Sequence, residues 1–328
     1  MNYLITGCCG FIGHHFLQHL FNSNKYTNII GIDALTYASN GLNRLREIDA
    51  FNMNNRFNFF SWDLSVPISE CLFQELKDTN IIIHLAAETH VDNSISDPVK
   101  VIQNNINSTL FMLEFARKLP RLKKFVYFST DEVFGPALGD KLYHEDERHK
   151  PTNPYSASKS SGESLCYAYY NTYNIPIIIT NCMNAFGERQ HVEKFIPMTI
   201  KNIMNGNKVL IHADPSMTKA GTRFYIHARN IAACVLFILE NERIGENYNI
   251  IGEKEVSNLE LAQLIASIMK MPLNYEMINF HETRPGHDMR YGLDGTKLKK
   301  MGWSLPINFE DSFKKTIEWT IANQKWIS

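Results

Sequence analysis

Residues 2–13 read Asn2-Tyr3-Leu4-Ile5-Thr6-Gly7-Cys8-Cys9-Gly10-Phe11-Ile12-Gly13. A short β-rich run passes straight into a Gly-x-x-Gly-x-x-Gly loop, and a helical pattern opens at Gly10 and continues to Asn22. Glycines at 7, 10 and 13 let the backbone turn sharply and approach a pyrophosphate, which then lies at the positive end of a helix. A glycine triplet alone is a weak signal, and its place between a strand and a helix strengthens it. The plain alternative is a tight turn that holds no ligand. Asp33 closes the next β-rich run, twenty residues past Gly13. A carboxylate there accepts hydrogen bonds from an adenosine ribose and repels a 2′-phosphate, which favours NAD over NADP. Asp63 ends the third run. It either meets the adenine amine or serves as a helix cap or turn residue.

The alternation continues downstream. Strand patterns fall at residues 57–62, 81–85, 124–129 and 175–181, and helical patterns at 70–78, 98–118 and 154–173. Nearly continuous apolar strands between helices predict an α/β fold, a Rossmann-type doubly wound parallel sheet with helices on both faces. After residue 182 the pattern loosens. Helices are expected at 194–205, 228–241, 258–270 and 309–323, separated by loops rich in Gly, Pro and charge at 213–221 and 281–288. The expected division is a Rossmann domain over 1–182, with some later segments returning to it, and a smaller α/β substrate-binding lobe carried mainly by 183–328.

Composition narrows the function classes. The 328 residues are 44% apolar, enough for a large core, and the net charge is -1 with no long basic or acidic block. That excludes a nucleic-acid footprint or a polybasic membrane anchor. No apolar run reaches the roughly 20 residues needed to span a bilayer. The first residues lack a signal-peptide pattern. Six scattered cysteines form no C-x-x-C pair and have no metal-ligand spacing with histidine. The expectation is buried or idle thiols, no metal, and a cytoplasmic protein.

Two further stretches carry chemistry. Ser129-Thr130-Asp131-Glu132 places adjacent carboxylates after an apolar run, and Tyr155-Ser156-Ala157-Ser158-Lys159 places a phenol and an amine on one helix face. Together they supply a proton acceptor, a proton donor and a base for an alcohol. Such a set can oxidise a hydroxyl and then expel water. The plain alternatives are a solvated acidic loop and an ordinary Tyr and Lys on a helix.

With these motifs in place, the chain resembles the extended short-chain dehydrogenases/reductases and, within them, the dTDP-glucose 4,6-dehydratases. The resemblance rests on six ordered stretches: 33–40, 84–92, 129–135, 154–159, 193–197 and 284–288. Thr130-Asp131-Glu132 separates this group from related epimerases, which usually carry small residues at the two acidic positions. The sequence departs from the pattern at Cys8, at Asn184-Ala185-Phe186-Gly187-Glu188 and in the loop 213–221 that leads to Arg223-Phe224-Tyr225.

The resemblance implies a nucleotide-sugar substrate, dTDP- or UDP-glucose, bound beside NAD. It carries cofactor contacts onto Gly7, Gly10, Phe11, Ile12, Gly13, Asp33, Asp63, Leu64, Leu85, Ala86, Ala87, Tyr155 and Lys159. Substrate contacts fall on Thr89, Asn184, Lys194, Phe195, Arg223, Asn258 and Arg284, with Lys194 and the arginines toward a diphosphate. Tyr155, assisted by Lys159, takes the 4-hydroxyl proton, and Thr130 hydrogen-bonds the same oxygen. Glu132 removes the carbon 5 proton and Asp131 protonates the departing 6-hydroxyl. His84 and His90 are expected to be structural. A homodimer paired through helices 98–118 and 154–173 as a four-helix bundle is also implied. Two rival readings are a nucleotide-sugar 4-epimerase, which needs neither carboxylate, and a non-catalytic NAD-binding scaffold or sensor.

Overall fold

A computed structural model of the chain describes residues 1–23, 28–52, 56–241, 243–279 and 288–328. The first half runs β1 (Asn2–Thr6), α1 (Phe11–Asn22), β2 (Asn28–Asp33), α2 (Asn43–Glu47), β3 (Phe57–Ser61), α3 (Glu70–Leu76) and β4 (Ile81–His84). It continues through α4 (Val91–Ser96), α5 (Pro98–Arg117), β5 (Lys124–Thr130), α6 (Pro154–Tyr173) and β6 (Ile177–Cys182). The second half adds β7 (Asn184–Phe186), α7 (Phe195–Met204), β8 (Val209–Ala213), β9 (Thr222–His227) and α8 (Ala228–Asn241). Then come β10 (Asn247–Ile250), β11 (Glu255–Ser257), α9 (Asn258–Met269), β12 (Tyr275–Asn279) and the helices Thr296–Lys300 and Phe309–Ala322.

The main sheet has seven strands in the order β10-β6-β5-β4-β1-β2-β3, and every pairing is parallel. This is the expected Rossmann-type α/β fold. Alternate side chains of each strand feed opposite cores. Ile5, Ile83 and Val126 pack with Phe16 and Leu20 of α1 and Val235 and Leu239 of α8. Leu4, Ile82 and Phe125 pack with Leu72 of α3, Met112 and Leu113 of α5 and Cys166 of α6. The strand order reverses between β1 and β4, so the crevice at their carboxyl ends is where a doubly wound sheet binds its ligand.

The edge strand β10 lay hidden in the sequence. Asn247-Tyr248-Asn249-Ile250 is short and half asparagine, which is poor strand composition. The Asn249 amide is tied down from far away, donating to the Tyr143 and Asp294 carbonyls at 3.0 and 3.1 Å. Two smaller sheets, β11-β9-β7 and β12-β8, form the lobe with α7, α9 and the helix Phe309–Ala322. β5 runs to Thr130, one residue further than its apolar pattern suggested. All six cysteines are free thiols, with Cys71 alone exposed. Among the described residues no helix is long and apolar enough to cross a membrane.

Candidate active site

The glycine loop is built for close approach. Gly7 has φ +68°, and a Cβ there would lie 3.0 Å from the Ala86 backbone. A Cβ on Gly13 would collide with the Gly7 carbonyl oxygen. Thr6 sets the other wall, because its Oγ1 accepts the N–H groups of Leu85 and Ala86, both at 3.1 Å. No side chain caps the N-terminus of α1, so its first-turn N–H groups suit an anion. Asp33 is fixed by two backbone donors, Cys9 at 2.9 Å and Leu35 at 2.8 Å. Burial pushes its carboxyl up while these donors hold it down. Cys8, the departure from the usual loop, fits because Gly31 leaves room: a Cβ on Gly31 would lie 2.6 Å from the Cys8 sulfur. Asp63 does form a turn, its Oδ1 accepting Ser65 N–H at 2.8 Å, and it faces the same cleft as Leu64 and Ala87. The glycine cradle, the uncapped helix end and the fixed Asp33 carboxylate together fit a dinucleotide.

The acidic pair sits where β5 ends. Thr130 caps a single 3-10 turn, Asp131–Phe134, with its Oγ1 accepting Glu132 N–H at 3.4 Å. α6 starts at Pro154 with a capping box in which Asn153 Oδ1 accepts Ser156 N–H at 2.8 Å. The Asn153 amide has a second task and donates to Glu132 Oε2 at 2.9 Å. One residue therefore ties the start of the Tyr155 helix to the carboxylate pair. Lys159 lies one turn beyond Tyr155, its ammonium 4.4 Å over the Tyr127 ring.

The two carboxyls do not share an environment. Burial, then the neighbouring Glu132 charge, pushes Asp131 up to about 7, against the Thr130 hydroxyl, which donates to its Oδ1 at 3.0 Å. Asp131 Oδ2 is buried and accepts no hydrogen bond. Glu132 is also raised by burial, but Asn153, Arg223 and Lys194 all favour its ionised form. Such divergence is how neighbouring carboxyls divide into acid and base. Burial and the charges of Glu132 and Asp131 push the Tyr155 phenol up. Burial pulls the Lys159 ammonium down to about 8, opposed by Glu163 and Cys166. The protein's own groups thus favour a neutral phenol.

Every expected site residue in the described part of the chain lines one cleft of about 1670 Å³. On the lobe side these are Thr89, Asn184, Lys194, Phe195, Arg223 and Asn258. Asn184 Oδ1 is buried with no hydrogen-bond partner. Asn258 Oδ1 accepts the Tyr225 hydroxyl at 2.8 Å. Arg223 donates to the carbonyls of Thr222, Asp288 and Met289 at 2.6–2.8 Å and lies over the Tyr291 ring. It therefore also anchors the chain at 288–289. Arg284 lies outside the described residues. His84 is buried and bonded to Thr6 Oγ1 at 2.8 Å, whereas His90 lines the cleft.

Sequence reading missed Arg44 and Asn153. Arg44 is fully buried near Asp33, with Nη1 donating to the carbonyls of Cys9, Ala38 and Ser39 and Nε donating to that of Arg189. Its partners are loop carbonyls, which leave no mark in a sequence.

Comparisons with known proteins agree with this geometry. The family described as GDP-mannose 4,6 dehydratase matches residues 4–316. A dTDP-glucose 4,6-dehydratase of Haemophilus influenzae is 36% identical over 98% of each chain. A trifunctional Arabidopsis thaliana protein that includes a UDP-glucose 4,6-dehydratase is 36% identical over 99% of this chain and 48% of its own. A Streptomyces venezuelae dTDP-glucose 4,6-dehydratase, solved with NAD bound, superposes with a TM-score of 0.90 at 31% identity, covering 99% and 98% of the two chains.

Proposed function

The chain belongs to the GDP-mannose 4,6-dehydratase family and is an NAD-dependent nucleotide-sugar 4,6-dehydratase, a hydro-lyase, and from that premise we propose that its substrate is dTDP-glucose and that Thr130, Asp131, Glu132, Tyr155 and Lys159 carry the reaction. The observation that supports this most is the unequal pair at the end of β5. Asp131 is pushed up to about 7 and has a free buried oxygen, while Glu132, itself raised by burial, is drawn back toward its carboxylate by Asn153, Arg223 and Lys194. Direct loss of water between carbons 5 and 6 is hard, because the carbon 5 proton is not acidic. A ketone at carbon 4 makes it acidic through an enolate.

When bound, NAD supplies the hydride acceptor for carbon 4, the hydride donor for carbon 6 and a positive charge near the phenol. Tyr155 takes the 4-hydroxyl proton, and Lys159 favours its phenolate. Thr130 steadies the carbon 4 oxygen. Glu132 removes the carbon 5 proton, and Asp131 protonates the departing 6-hydroxyl, which leaves as water. Gly7, Gly10–Gly13 and Asp33 hold the dinucleotide, with Asp63 and Leu64 toward its adenine and Leu85–Ala87 along the opposite wall. Thr89, Asn184, Lys194, Phe195, Arg223, Asn258 and Arg284 hold the nucleotide sugar. On this reading residues 183–328 chiefly serve the substrate, although α8 and β10 pack with the main sheet.

Incubation of the pure protein with dTDP-glucose and with UDP-glucose tests the substrate. The expected product of dTDP-glucose is the 4-keto-6-deoxy sugar, read by its ultraviolet absorbance in base and by mass spectrometry. Faster turnover of UDP-glucose would reassign the base, and products that all retain the 6-hydroxyl would favour an epimerase. We also propose a homodimer paired through α5 and α6. These helices pack along one another and leave Val99, Tyr167 and Tyr173 exposed. Light scattering on a sizing column should give twice the chain mass at micromolar concentration, and a monomer there counts against the pairing.

A further inference from the structure

Glu163 lies on α6, one turn beyond Lys159 and two beyond Tyr155, and is fully buried. The chemistry described so far does not use it. Its Oε1 accepts the Ser129 hydroxyl and the Asn181 amide, the latter at 2.7 Å. Ser129 directly precedes Thr130-Asp131-Glu132. Asn181 pairs with it across β5 and β6, and its amide also reaches the Thr130 carbonyl at 3.4 Å. Glu163 Oε2 accepts no hydrogen bond, and His149 Nε2 is 3.5 Å away.

A buried carboxylate is costly unless a cation or several donors offset it. The groups that face Glu163 can be named. From its own helix come Lys159, Cys166 and Tyr167, from β5 Tyr127 and Ser129, from β6 Asn181, and from the preceding loop His149. Burial pulls His149 below its ordinary value, so it is neutral near pH 7. Burial pushes the Glu163 carboxyl up to about 7, against Ser129, Asn181 and Lys159, so it is chiefly the carboxylate above that pH. Lys159 is then the cation within reach, and there each of the pair favours the charged form of the other.

We propose that Glu163 is a positioning residue for the reaction: its carboxylate is the counter-charge that keeps the Lys159 ammonium charged one turn from Tyr155, and its hold on Ser129 and Asn181 keeps the Asp131–Glu132 turn facing Tyr155. The proposal rests on the roles assigned above to Tyr155 and Lys159. Glu163 touches neither reacting atoms nor cofactor and acts through the lysine.

Glu163→Gln separates charge from scaffold, because a glutamine oxygen can still accept from Ser129 and Asn181. Removal of the negative neighbour makes the ammonium less favourable, so Lys159 should lose its proton at lower pH. In an Asp131→Asn background, single-turnover reduction of NAD reports carbon 4 oxidation without the Asp131 titration. There Glu163→Gln should move the alkaline limb down by about one pH unit, with the KM for sugar nucleotide unchanged. Glu163→Ala, which also loses the clamp, should slow the step at every pH. NMR titration of Lys159 in ε-13C-lysine-labelled NAD complex should show the same downward shift and needs no turnover. An unmoved Lys159 titration in Glu163→Gln overturns the proposal, whether the rate falls uniformly or stays at the parent level. Absence of turnover of any nucleotide hexose by the unaltered protein would instead overturn the substrate reading, and the lysine titration would still decide the role of Glu163.

Discussion

Tyr155→Phe is expected to lower kcat for keto-sugar formation by about 10²- to 10⁴-fold, the range for loss of a positioned general base. NAD binding should survive. The substitution removes one oxygen and leaves the ring, and the helix that carries it is held independently by Pro154, by the Asn153 capping box and by the Tyr127 hydroxyl, which donates to the Lys159 carbonyl at 3.2 Å. No NADH should appear in a single turnover, because hydride cannot leave carbon 4 while its hydroxyl keeps its proton. Steady-state kinetics together with a stopped-flow NADH trace measure both parts. A loss of less than tenfold would transfer the base role to another group, with Glu132 the first candidate.

Asp131→Asn should stop the reaction later. On the proposed roles carbon 4 oxidation uses Tyr155, Lys159 and Thr130, so NADH should form at close to the normal rate and then persist. Water loss should slow by about 10²- to 10⁴-fold, again the scale of one general acid. The pH dependence follows from the position of Asp131. Its carboxyl is pushed up to about 7 by burial and by Glu132, so the protonated acid is present below that pH and is lost above it. The elimination step in the unaltered protein should therefore weaken as pH rises through about 7, and the asparagine variant should lack that limb. Rapid-quench analysis of the sugar, alongside the NADH trace, separates the two steps. An epimerase would tolerate this substitution, because inversion at carbon 4 needs no leaving-group acid.

Much of this architecture was legible along the chain. Strands such as 2–6 and 28–33 and the helix 154–173 were readable because their signals are local: β-rich runs, a glycine triplet and a helical pattern. β10 was not legible, because the amide of its Asn249 is held by Tyr143 and Asp294, each more than forty residues away. Arg44 was equally hidden, since a buried guanidinium bonded to loop carbonyls looks like any surface arginine in a sequence.

By itself the sequence determined which chemical groups this protein owns and the topology that gathers them, since a strand, a glycine loop and a helix in series fold one way. Adjacency also placed Asp131 beside Glu132 and Lys159 one turn from Tyr155. Only the tertiary structure decided what those groups are in physical terms. Asp131 and Glu132 are neighbours in the chain, yet one is left with a bare buried oxygen and the other receives the Asn153 amide from a different element. Proton affinity depends on burial and on partners brought from elsewhere in the fold. The resemblance already implied acid for Asp131 and base for Glu132; the unequal surroundings that suit those proposed roles, and the place of Glu163 one turn from Lys159, come from the packing of β5 against α6 and β6.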